Sequence, residues 1–111
     1  MGAVKGSIPW MSLEHIQGRP FTQACDIYAY GVVMWEIMSR KVPWEGSNQM
    51  QVGFAVVTEG KRPPLDAVHS CYPTECVELM QECWATDAAA RPTFVEIMER
   101  ISSISGSSVS A

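Results

Sequence analysis

The segment QACDIYAYGVVMWEIMS, residues 23–39, contains the most apolar stretch of this 111-residue chain, from Ile27 to Met38. Glu36 is the only charged residue in that stretch. Thr22 stands where a helix N-cap belongs, and apolar residues would occupy nearly every face of the helix that follows. Such a helix requires neighbours all round, so the sequence predicts a buried central helix. It is too short to span a bilayer.

Local sequence signals predict further helices on both sides of this segment. We expect one or two helical turns over 12–17 and longer helices over about 48–58, 74–84 and 94–104. No stretch combines a strand pattern with turn residues. The predicted fold class is therefore all-α, with about four main helices around a buried central helix.

Each of these helices has a predicted start or apolar face. Ser47 is the expected N-cap of the helix over 48–58. A capping box is expected at the last helix, where the Thr93 side chain accepts from the backbone N–H of Glu96 and Glu96 reaches back. The expected apolar faces are Met50, Phe54 and Val57; then Cys76, Leu79, Met80 and Cys83; and finally Phe94, Ile97, Met98, Ile101 and Ile104.

Composition narrows the classes of function. The chain is 47% hydrophobic, which is enough for one folded domain or a piece of one. A net charge of −4 without any Lys/Arg run argues against a nucleic-acid partner. The four cysteines form no Cys-x-x-Cys pair and no apolar leader precedes them, so we expect no zinc and reduced thiols in the cytoplasm. We expect no membrane partner, because the most apolar stretch is too short to span a bilayer.

Five short strings occur in one order along the chain: WMSLE at 10–14, DIYAYG at 26–31, VPW at 42–44, CW at 83–84 and ARPTF at 90–94. In this order they resemble the C-terminal lobe of a eukaryotic-type protein kinase. The Trp-Met pair and the Cys-Trp and Arg-Pro-Thr-Phe strings resemble the tyrosine-kinase-like group or true tyrosine kinases, and with Ser7 the tyrosine-kinase-like serine/threonine group is the closest. The resemblance implies a partial kinase domain over 1–104, from the substrate-side loop to the C-terminal helix. The serines and Gly106 in residues 105–111 predict a disordered tail after it.

The resemblance assigns structural roles to Glu14, Arg91 and Asp26. It implies that Glu14 and Arg91 pair inside the lobe and anchor the substrate-side loop to the helical base. It implies that Asp26 accepts hydrogen bonds from the backbone of a catalytic loop. Gly31 within the central helix indicates either local tolerance or another backbone packed close by, since glycine costs roughly 1 kcal/mol against alanine in a helix. The family's usual Ala-Pro before this glutamate is replaced by Ser12-Leu13.

The same resemblance places the substrate-side loop at the start of the chain. It implies that Gly6, Ser7 and Trp10 belong to the loop that receives the residue after the phosphoacceptor. Ser7 stands where serine/threonine kinases usually carry a threonine, which favours Ser/Thr over Tyr specificity. Large core or lid side chains are the ordinary explanation for Trp10, Trp44 and Trp84.

Phosphoryl transfer in this family needs motifs that the 111 residues do not contain. There is no Gly-x-Gly-x-x-Gly, no His-Arg-Asp and no Asp-Phe-Gly. We therefore predict no catalytic, cofactor-binding or metal-binding residue in this chain and expect ATP and Mg²⁺ only for a full-length parent. The expected partner is a protein substrate or the missing N-terminal part of the kinase.

Three hypotheses follow. The first is a C-terminal fragment of a kinase that phosphorylates Ser/Thr, or alternatively Tyr, of proteins. The second is a stand-alone, non-catalytic binding module derived from a kinase lobe. The third is an unrelated helical adaptor, for which removal of Glu14 or Arg91 would be mild and additive.

Overall fold

Five α-helices and three short 3₁₀ turns make up the regular structure in the computed structural model, which describes the backbone of residues 8–110 and the side chains of residues 8–104. The helices are α1 (Leu13–Ile16), α2 (Gln23–Ser39), α3 (Gln49–Val57), α4 (Thr74–Cys83) and α5 (Phe94–Ser110). The 3₁₀ turns are Ile8–Trp10, Leu65–Ala67 and Ala88–Ala90. Over the described residues the chain is all-α, as the sequence predicts.

Helix α2 is the centre of the fold. It packs against α4, the Ile8–Trp10 turn and the Ala88–Ala90 turn, and α4 in turn packs against α5. Its buried apolar residues divide between two core clusters, one around Trp35 and one around Ile27. The Trp35 indole donates to the carbonyl of Pro64 at 2.8 Å, which ties the irregular segment after α3 to the core.

One face of α2 nevertheless lacks a neighbour among the described residues. Asp26 is exposed, and Val33 and Ile37 are 39% and 61% exposed. These residues share one helical face, at spacings of seven and four. Helix α2 is thus the central helix that the sequence predicts, and the described elements leave this one face of it without a neighbour.

The buried face and the N-cap of α3 both differ from the prediction. In α3 the buried residues are Val52 and Val56, whereas Met50 and Phe54 are 85% and 58% exposed. The N-cap is Asn48 rather than Ser47, since the Asn48 and Gln51 side chains each accept from the other's backbone N–H. Val52 and Val56 are the buried residues because α3 packs through this face against α1 and the Ile8–Trp10 turn.

Helix α5 begins as predicted and ends later than predicted. Its capping box is confirmed by bonds of 2.8 and 3.1 Å between Thr93 and Glu96. Ile97 is buried, but Met98 is 68% exposed. The described backbone is helical to Ser110, beyond the expected end at 104, because helix propagation costs little once the first turns exist. The disordered tail expected over 105–111 stays a prediction. Residue 111 lies outside the described residues.

Candidate structural anchor and substrate-side surface

An ion pair joins the first helix, α1, to the loop that precedes the last helix, α5. Arg91 and Glu14 form a two-pronged contact, with Nη1 to Oε2 at 2.7 Å and Nη2 to Oε1 at 2.9 Å. Glu14 lies in α1 and Arg91 directly follows the Ala88–Ala90 turn. The pair is well shielded, since the Arg91 side chain is 0% exposed and the Glu14 side chain is 15% exposed.

Backbone carbonyls complete the Arg91 site. Its Nε donates to the carbonyl of Ala85 and its Nη1 to the carbonyl of Ala24, both at 2.9 Å. A planar guanidinium supplies donors in the directions that a carboxylate and two carbonyls require at once. The side chain therefore holds together α1, the start of α2 and the loop before α5.

The electrostatics of this site favour the charged pair. Burial by itself raises the pKa of the Glu14 carboxyl, but the hydrogen bonds and positive charge of Arg91 outweigh it and hold that pKa at about 2. The Cys25 thiol donates to Glu14 Oε2 at 3.6 Å, as a further weak contact. The arrangement is suited to holding elements together, and nothing in it presents a reactive group to a substrate.

A second cation, Arg62, lies beside this anchor and was not predicted from the sequence. The guanidinium carbons of Arg62 and Arg91 lie 5.3 and 5.2 Å from the centre of the Tyr28 ring, which is the geometry of cation–π contacts. Arg62 also donates to the carbonyl of Trp84 at 2.9 Å. Burial raises the pKa of the Tyr28 hydroxyl. The only sequence signal for this contact was the aromatic residue at 28. Nothing around Lys61-Arg62 indicates that the partner of Arg62 lies 34 positions away.

Gly31 lies where α2 and α4 approach closely. A Cβ placed on it would lie 2.8 Å from Cys83 Cβ and 3.1 Å from the Met80 carbonyl oxygen. Cys83 is fully buried, and burial raises the pKa of its thiol to about 12. Of the two explanations that the sequence left open for Gly31, close packing is the one that the structure supports.

Asp26 lies in the first turn of α2 with its side chain exposed. No described residue donates a hydrogen bond to its carboxylate. The structure therefore brings Glu14 and Arg91 together but leaves Asp26 apart from them. That Asp26 accepts hydrogen bonds from the backbone of a catalytic loop stays a prediction.

The substrate-side loop is described only in part. Gly6 and Ser7 lie outside the described residues, and Trp10 ends the Ile8–Trp10 turn. The Trp10 indole donates to Glu36 Oε1 at 2.7 Å, a contact between residues 26 positions apart that sequence analysis did not predict. The segment 10–14 is thus bound to α2 by the Trp10 side chain and to Arg91 by the Glu14 side chain.

The described residues contain neither a cluster of metal-binding side chains nor a membrane-spanning helix. No group of three or more His, Cys, Asp or Glu side chains there is arranged to hold a metal ion. No helix in the described part of the chain has both the length and the apolar character needed to cross a membrane.

Comparison with known proteins identifies the family. The family model for protein tyrosine and serine/threonine kinases matches residues 2–101. The chain therefore belongs to the protein kinase family, and its helices correspond to part of the C-terminal lobe of that domain.

Individual relatives agree with this assignment. A Dictyostelium discoideum protein named "Probable serine/threonine-protein kinase" is 35% identical over 99 residues, covering 89% of this chain and 10% of that protein. A serine/threonine/tyrosine-protein kinase of Arabidopsis thaliana is 37% identical over 93 residues, covering 84% of this chain and 23% of that protein. The chain thus spans less than a quarter of the length of either relative.

Proposed function

We propose that the 111 residues form the C-terminal part of a serine/threonine-protein kinase domain. The parent protein would transfer the γ-phosphate of ATP, with Mg²⁺, to Ser or Thr of protein substrates in the cytoplasm. The buried Glu14–Arg91 pair is the observation that carries this proposal, because it ties the segment next to the substrate-side loop to the helical base. The family match over residues 2–101 supports it.

The 111 residues by themselves would bind neither ATP nor Mg²⁺. Phosphoryl transfer is catalysed almost entirely by positioning and charge stabilisation around the phosphates, and the motifs for this do not occur in these residues. The role of this part would be to support the peptide substrate and to pack against the N-terminal part of the domain. We propose no nucleic-acid and no membrane partner.

Two measurements test the proposal. Titration of the 111 residues with Mg-ATP in a calorimeter is expected to give no saturable heat, and saturable binding would contradict the proposed division of labour. The mass of the native protein that carries this sequence, measured on a denaturing gel with an antibody against it, is expected to exceed 12.3 kDa by at least the rest of a kinase domain. Its isolation and assay on Ser, Thr and Tyr peptides then separates Ser/Thr from Tyr specificity.

A stand-alone binding module is the second candidate function. The observation in its favour is the exposed apolar pair on α3, Met50 and Phe54. Exposed aromatic and methionine side chains are enriched where proteins bind partners. A native product of 12.3 kDa would favour this candidate over the kinase fragment. A larger product with transfer activity would exclude it.

A further inference from the structure

The hydrogen bond between Trp10 and Glu36 has the features of a strong, directed contact. Its length is 2.7 Å, and its acceptor is a carboxylate oxygen, a combination found in charge-assisted hydrogen bonds. The donor belongs to the last residue of the Ile8–Trp10 turn, which is closed by a bond of 3.1 Å from the Met11 N–H to the Ile8 carbonyl. The contact therefore sets the orientation of this turn relative to α2.

Packing alone does not account for a carboxylate at this position. Glu36 is the only charged residue between Ile27 and Met38, and the Trp10 ring already packs against the main core cluster. An apolar side chain at 36 could make the same kind of contact with the ring. What the carboxylate adds is a direction, because it binds only the N–H edge of the indole.

The bond is one of two attachments of the same segment. Glu36 holds Trp10, and the Arg91 side chain holds Glu14 while also binding the Ala24 carbonyl. Ala24 and Glu36 lie about 18 Å apart along α2 at 1.5 Å per residue. The short segment 10–14 is thus attached near both ends of the central helix, and its middle residues Met11 and Ser12 are buried.

We infer that Glu36 is a positioning residue for the substrate-side surface: through the Trp10 indole it fixes the orientation of the Ile8–Trp10 turn, against which a peptide substrate would lie. This inference rests on the proposed kinase function, since Gly6 and Ser7 directly precede this turn in the sequence. Glu36 acts through Trp10 and takes no part in the chemical step.

Steady-state kinetics on the complete kinase domain that contains these residues tests the inference. At saturating ATP, Glu36→Leu and Trp10→Phe are each expected to raise the KM for a peptide substrate about fivefold while kcat stays within about twofold, because a misdirected loop weakens peptide binding without touching the phosphates. Glu36→Gln keeps an acceptor oxygen and is expected to restore most of the affinity. The double variant Trp10→Phe/Glu36→Leu is expected to be no worse than either single variant.

Matched controls and a spectroscopic signal distinguish positioning from a general loss of structure. Glu99→Leu removes an exposed glutamate and is expected to leave the KM unchanged. Trp44→Phe removes a half-buried indole elsewhere. It is the matched control for Trp10→Phe and is likewise expected to leave the KM unchanged. In the 111-residue chain, the Trp10 indole N–H is expected to exchange with solvent about tenfold faster in Glu36→Leu than in the wild type, with Glu36→Gln close to the wild type.

The possible results have distinct meanings. An active wild-type domain whose Glu36→Leu variant keeps its peptide KM overturns the positioning role and leaves the kinase function intact. Failure of Glu36→Gln to restore the KM, while its indole exchange stays slow, also overturns the role. A complete wild-type domain without any transfer activity overturns the proposed function and the inference with it.

Discussion

The Arg91 side chain donates four hydrogen bonds to residues from three separate parts of the chain. Such a residue contributes to stability mainly through what its removal leaves behind. Without the guanidinium, a shielded carboxylate at Glu14 and two carbonyls lose their donors. Breaking a buried pair in this way typically costs about 3–5 kcal/mol.

We predict that Arg91→Ala lowers the free energy of unfolding by about 3–5 kcal/mol, measured by urea titration. The matched control is Arg100, which makes an equally short two-pronged contact with Glu82 but is 37% exposed, with its partner 47% exposed. Arg100→Ala is therefore expected to cost less than about 1 kcal/mol.

Two further variants keep this comparison informative if Arg91→Ala does not fold. Arg91→Lys retains the charge and loses the forked geometry, so an intermediate loss is expected. Glu14→Ala combined with the milder Arg91→Lys should cost less than the sum of the two changes. Small, additive losses would instead support the unrelated helical adaptor.

The ion pair also predicts a pH dependence. The pKa of Glu14 is about 2 in the folded chain against an ordinary value of 4.5, so the unfolded state binds the proton more tightly. The contribution of this carboxylate is fully present above about pH 4.5 and is lost as the pH falls toward 2. Urea midpoints of the wild type and Glu14→Gln measured between these limits should converge at the acid end. Parallel curves would contradict the assignment.

At the scale of elements, the contact between α2 and α4 depends on a missing side chain. Gly31→Ala improves helix propensity by roughly 1 kcal/mol but places a methyl group 2.8 Å from Cys83 Cβ. Because overpacking of a filled core typically costs about 1–3 kcal/mol, we expect a net destabilisation in thermal or urea unfolding.

Gly53 in α3 is the matched control for this substitution. A Cβ there would meet only Ile16 Cγ2, at an ordinary contact distance of 3.7 Å. Gly53→Ala is therefore expected to stabilise the fold by up to about 1 kcal/mol. Equal effects at Gly31 and Gly53 would show that helix propensity alone governs both positions.

The elements also show where sequence patterns were sufficient. The limits of α2 and the capping box at Thr93 followed from local signals, since a cap and a run of apolar residues act within one helix. The buried face of α3 did not follow, because its sequence offers two apolar faces. The choice between Met50/Phe54 and Val52/Val56 was made by α1 and the Ile8–Trp10 turn, which pack against only one of them.

For the whole molecule, the exposed face of α2 predicts low stability. Val33 and Ile37 remain partly or largely in water, so the described fold forgoes part of the apolar burial that its most apolar helix could provide. We expect a free energy of unfolding below about 5 kcal/mol, the lower end for natural domains, in urea titrations followed by tryptophan fluorescence. A sharp, cooperative melt of the monomer at high temperature would count against a fragment of a larger domain.

The amino-acid sequence by itself determined the all-α class, the central helix over 23–39, the last helix start and, through ordered motifs, the kinase family. These features depend on residues close together in the sequence or on short motifs that can be found without knowing the fold. Only the tertiary structure decided that Arg62 and Arg91 both contact the Tyr28 ring, that Trp10 binds Glu36 and that α3 buries its valines. Each of these depends on which distant segments lie side by side, and periodicity within one helix carries no information about that.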